Sequence, residues 1–150
     1  NTVANSVRKI SNFNVSLTTI HLNGGKDMIE AASSEKGNIK ILGVSILTSL
    51  SEKDIFEITH TEFDAYFNNL ISIASNTNID GVVCSPNELD KLKNFNKLKV
   101  VPGIRNDISD DDQKRVMSPF EAYQKGADFI VVGRPITKSE NPKKTFELFL

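Results

Sequence analysis

The sequence has no tryptophan, one cysteine and two methionines in 150 residues. With Cys84 alone, a disulfide framework is excluded, and a reducing compartment, hence a cytoplasmic protein, is the expectation. Charge of neither sign dominates: 18 Lys and Arg stand against 19 Asp and Glu, a net charge of -1. Nothing therefore points to a nucleic acid or to an anionic membrane surface, since both are held by basic patches. No apolar run approaches the ~20 residues of a spanning helix, and no stretch reads as a secretory signal. What is present is ordinary for a globular protein: 39% hydrophobic and 25% charged residues. The length suits one domain, and no linker or shift of composition divides residues 1–150.

Apolar, β-branched runs occur at 16–21, 39–47, 80–84, 98–104 and 128–132. Most are continuously apolar rather than alternating, as in strands of a parallel sheet buried on both faces. Between them the spacing is helical. Val3, Val7, Ile10 and Phe13 form one stripe, and Phe63, Phe67, Leu70, Ile71 and Ala74 another. Helix starts are marked at Ser118-Pro119-Phe120-Glu121, at Asn141-Pro142 and, more weakly, at Ser51 to Asp54. Gly126 suits a helix stop. The order is a helix followed by five β-α units, which predicts an α/β protein with a parallel sheet. A doubly wound sheet and a (β/α)8 barrel both fit that alternation.

Ligands in such folds bind at the carboxyl ends of the strands. Those ends carry His21 to Gly25, Leu47-Thr48-Ser49, Cys84-Ser85-Pro86, Pro102 to Arg105 followed by Gln113, and Gly133-Arg134-Pro135. Arg134 offers a planar fork suited to phosphate, and Gly133 lets a ligand approach the backbone closely. A Gly-Arg pair can equally turn the chain and make a surface ion pair. His21 reads as a catalytic group or as a hydrogen-bonded packing residue, and the second is commoner. Cys84 reads as a buried inert thiol, His60 as solvated, and Asp110-Asp111-Asp112 as a loop or helix start rather than a metal site. Gly24-Gly25 reads as a turn.

Several of these pieces occur together in one known pattern. Val101-Pro102-Gly103-Ile104-Arg105, Asp111-Asp112-Gln113-Lys114-Arg115, Ser118-Pro119, Gly126-Ala127-Asp128 and Val131 to Thr137 resemble orotidine 5'-phosphate decarboxylase of the bacterial type. His21 with Gly24-Gly25, Leu47-Thr48-Ser49 and Asp80 to Ser85 are similar to it as well, so the resemblance covers the whole chain. It implies a homodimeric (β/α)8 TIM barrel that converts orotidine 5'-phosphate to UMP and CO2 without cofactor or metal. It implies that Arg105, Gln113, Gly133 and Arg134 contact the phosphate end, and that Thr48 lies near the pyrimidine. Asn1-Thr2 resembles the tail of the family's Asp-x-Lys-x-x-Asp-Ile-Pro-Asn-Thr motif, near the partner subunit's site. On that alignment the catalytic lysine and aspartates are expected upstream of Asn1. The five strands then correspond to strands 4 to 8, the C-terminal part of one barrel domain, with no catalytic residue of its own. Two other readings stay open: a metal-dependent sugar-phosphate barrel enzyme similar to hexulose-phosphate synthase, and a non-catalytic phosphate-binding remnant.

Overall fold

The computed structural model describes residues 1–105 and 117–149. Five strands form one all-parallel sheet in sequence order: β1 Leu17–His21, β2 Lys40–Val44, β3 Gly81–Val83, β4 Leu98–Pro102 and β5 Phe129–Val131. Between and around them lie α1 Thr2–Ile10, α2 Gly25–Ser33, α3 Glu52–Thr59, α4 Phe63–Ser75, α5 Pro119–Gln124, α6 Arg134–Thr137 and α7 Pro142–Glu147. All five predicted runs become strands, each trimmed at one end or both. The second stops at Val44, so the Leu47-Thr48-Ser49 stretch is a loop leading into α3.

The β3–β4 connection is a 3-10 helix, Pro86–Leu92, where the sequence suggested an α-helix. Its buried apolar residues explain this. Pro86, Leu89 and Leu92 recur every three positions, the period at which 3-10 side chains eclipse. The marked helix starts are formed. Ser118 with Glu121 and Ser51 with Asp54 both close as reciprocal capping boxes, so the Ser51 start is stronger than its sequence suggested. Asn141 Oδ1 accepts the Lys144 N–H at 3.1 Å and opens α7.

Alternation along each strand gives the sheet two unlike faces. Ile20, Ile41, Val82 and Val101 join Val7, Ile29, Phe67, Leu70, Leu89 and Ala122 of the helices in one buried cluster. On the other face the register aligns His21, Val44, Val83, Val100 and Phe129 in a single row across all five strands. This face is not buried throughout, contrary to the expectation from continuous apolar runs. Leu17, Phe129 and Val131 on the two edge strands stay 38%, 48% and 48% exposed. The physical reason is that the helices' buried side chains gather on one face only.

At the opposite ends of the strands an aspartate precedes β3 and another precedes β5. Asp80 Oδ2 accepts the Ile41 N–H at 2.8 Å and pairs with Lys36 Nζ at 2.7 Å. Asp128 Oδ2 accepts the Lys99 N–H at 2.7 Å. Each carboxylate thus ties its own strand to the one before it, a charge-assisted bond that fixes register. Lys97 Nζ closes the far end of α4 by donating to the Ala74 and Thr77 carbonyls at 2.8 and 2.6 Å.

Candidate functional site

The residues after β4 and β5 come together. Strand β4 ends at Pro102, and Gly103 takes a positive φ of 81° that few L side chains adopt. That turn carries Ile104 and Arg105 up from the sheet. Ile104 bridges to Met117, and the Arg105 N–H donates to the Met117 carbonyl at 3.0 Å, so these two positions are held together. Arg105 itself is 8% exposed. Strand β5 runs through Val132 to Gly133, whose carbonyl accepts the Ile136 and Thr137 N–H groups at 3.0 Å each and starts α6. Among the described residues, its chain neighbours apart, no heavy atom lies within 4 Å of a Cβ built on Gly133.

Pro102, Gly103, Ile104, Arg105, Val131, Gly133, Arg134 and Pro135 line one cavity of about 220 Å³ between these two strand ends. Two arginines, each ending in a planar guanidinium fork, and a glycine are among its lining residues. Two such forks can engage the oxygens of a phosphate from two directions, each through paired N–H donors. The half-buried setting strengthens those bonds by excluding water from part of the site.

Three of the expected site residues, Arg105, Gly133 and Arg134, therefore share one cavity. Thr48 stands apart, half-buried in the loop after β2. Gln113 and the Asp110–Asp112 run lie outside the described residues. Asn1 and Thr2 are exposed at the start of α1, and Asn1 makes no side-chain capping bond.

The remaining candidates resolve as follows. Cys84 is 1% exposed; burial first, and then the Glu88 carboxylate, push its thiol up to about 12. It is an inert thiol, as expected. His60 is exposed and ends α3 in the left-handed conformation, its ring edge-on to Phe56. Gly24-Gly25 is a turn, a short 3-10 helix ending at Gly25 with φ 77°. His21 is not a hydrogen-bonded packing residue. It is exposed, and its ring has no hydrogen-bonding partner among the described residues. Sequence reasoning missed the contact of Tyr66, whose hydroxyl donates to Asn23 Oδ1 at 2.7 Å across a 43-residue separation. No local pattern signals a contact of that range.

A parallel β/α sheet with a cavity at the carboxyl ends of β4 and β5 defines a class: β/α-barrel proteins, whose ligand sites lie at those ends. Comparison with known proteins narrows it. The sequence model of the Orotidine 5'-phosphate decarboxylase / HUMPS family matches residues 1–149, and the chain belongs to that family. The chain is 40% identical over 154 residues to the orotidine 5'-phosphate decarboxylase of Ehrlichia chaffeensis, covering 98% of this chain and 67% of that protein. It is 45% identical over 144 residues to that of Aquifex aeolicus, covering 91% of this chain and 62% of the relative. The crystal structure of the Lactobacillus acidophilus orotidine 5'-phosphate decarboxylase superposes with a TM-score of 0.84 at 32% identity, over 99% of this chain and 68% of that one. This chain thus spans about two thirds of the length of these relatives, and its fold is the corresponding part of a TIM barrel.

Proposed function

We propose that this chain forms the phosphate-binding part of an orotidine 5'-phosphate decarboxylase, a carboxy-lyase that converts orotidine 5'-phosphate to UMP and CO2 in pyrimidine synthesis. The single observation that carries the reading is the convergence of Arg105, Gly133 and Arg134 on one cavity at the carboxyl ends of β4 and β5. Arg134 and Arg105 receive the phosphate oxygens, and the open backbone at Gly133 lets the phosphate approach closely. Gln113 adds a further donor, and Thr48 borders the pyrimidine. In this reading the proton donor and the carboxylates that act on the reacting carbon lie outside the 150 residues. Asn1 and Thr2 approach the site of the partner subunit in a homodimer.

Binding a phosphate remote from the reacting carbon raises the rate only if that energy is realised in the transition state. It also fixes the nucleotide so that the carboxyl group meets the catalytic groups in one orientation. The test is Arg134→Ala in the full-length enzyme. Losing a bidentate, charge-assisted contact worth about 1.5–3 kcal/mol per bond lowers kcat/KM by at least about a hundredfold. A kcat/KM within about twofold of the parent, well below the cost of even one charged hydrogen bond, refutes the phosphate role.

A further inference from the structure

We propose that His21 is a substrate contact at the sugar-and-base end of the nucleotide, facing the phosphate cavity across the mouth of the barrel. This rests on the decarboxylase reading above and adds to it a residue that the sequence assigned only a packing role or an undefined catalytic one.

Register places the His21 side chain. His21 is the last residue of β1 and pairs with Val44, Val44 with Val83, Val83 with Val100, and Val100 with Phe129. These five side chains point to the same face, the one the helices leave uncovered. In a barrel that face is the interior. The row is apolar except for His21. The next row toward the amino ends, Thr19, Leu42, Gly81 and Leu98, is almost as apolar. A polar aromatic ring at the carboxyl end of an interior row is where a barrel carries functional groups.

Strands β1 and β5 lie four positions apart in the sheet. In a closed barrel of eight strands, two strands four apart are diametrically opposed. His21 therefore stands across the mouth from Gly133 and Arg134, which follow β5. A nucleotide held by its phosphate at β5 extends its ribose and base toward β1. The neighbouring strand β2 leads into the loop that carries Thr48, so the two residues flank one side of the mouth.

Nor is the ring already in use. Polar side chains that line the same recess are bonded elsewhere: Ser45 Oγ donates to the Val83 carbonyl at 3.0 Å, and Asn23 Oδ1 accepts from the Tyr66 hydroxyl. The imidazole, exposed and unbonded among the described residues, has both ring nitrogens open to a ribose hydroxyl or a pyrimidine carbonyl.

The experiment measures binding of UMP and of inorganic phosphate to the full-length enzyme and to three variants. His21→Ala is expected to weaken UMP about threefold to tenfold, the range of one neutral hydrogen bond, and to leave phosphate binding unchanged. His21→Asn, which keeps a polar group near the Nδ1 position, recovers part of that loss. Arg134→Ala weakens both ligands. If His21→Ala leaves UMP unchanged while Arg134→Ala weakens both, the His21 contact is refuted and the phosphate reading stands. Equal loss of UMP and phosphate in His21→Ala, with no recovery in His21→Asn, means a structural role and also overturns the proposal. If Arg134→Ala weakens neither ligand, the phosphate reading fails, and the placement of His21 opposite it fails too.

Discussion

Gly81→Ala tests how closely the sheet is packed. Gly81 begins β3 and lies between Leu42 of β2 and Leu98 of β4 in the register. A Cβ built there sits 2.4 Å from the Leu98 carbonyl oxygen, 2.6 Å from the Leu98 Cβ and 2.9 Å from the Leu42 Cδ2. The leucine methyl can swing aside, but the carbonyl belongs to the backbone of the adjacent strand. Opening 2.4 Å to the 3.0 Å below which real contacts essentially never fall needs a movement of about 0.6 Å. The Leu98 N–H bond to the Asp80 carbonyl, now 3.1 Å, then stretches beyond hydrogen-bonding range. Overpacking costs about 1–3 kcal/mol and the lost bond about 0.5–1.5. The stiffer alanine returns about 0.4–1 kcal/mol through the unfolded chain, leaving a net loss of about 2 kcal/mol. In urea that moves the midpoint down by about 1 M. Gly24→Ala is the matched control. Its Cβ meets only the flexible end of Met28, so its midpoint stays within about 0.5 M of the parent. A Gly81→Ala midpoint as close to the parent as that of the control refutes the packing argument.

Two further outcomes follow from single residues. Cys84 titrates near 9.0 when unfolded and at about 12 in the folded protein, so the unfolded state loses its proton first as pH rises. Its contribution to stability is complete below pH 9.0 and declines toward pH 12, and the thiol resists alkylation at neutral pH until denaturant is added. Labelling of the native protein at the rate of a free thiol contradicts this. His60 holds the left-handed position after α3 with φ 51°, where glycine carries no Cβ penalty. His60→Gly is expected to raise stability by about 0.5–1 kcal/mol, read as a higher urea midpoint, and a lower midpoint means the Phe56 ring contact outweighs the backbone term.

Legibility differed by element. Continuous β-branched runs located all five strands because burial on at least one face demands apolar residues regardless of what they pack against. Capping boxes located the starts of α3 and α5, since those bonds close within four residues. The 3-10 helix after β3 was missed because Pro86, Leu89 and Leu92 also fit a helical stripe, and only packing separates the two periods.

For the site, the residue types at the strand ends named Arg105, Gly133 and Arg134 from the sequence alone. Arginine and glycine after an apolar run carry their chemistry with them, and the resemblance to one family assigned it. That these three line one cavity was decided by the tertiary structure, because parallel pairing of β4 with β5 brings together loops some thirty residues apart. The same is true of His21. As a residue in a row of letters it reads more readily as packing than as chemistry. Its place at the end of a row of side chains on one sheet face, with no hydrogen-bonding partner among the described residues, is a property of register and packing, which no local stretch of sequence contains.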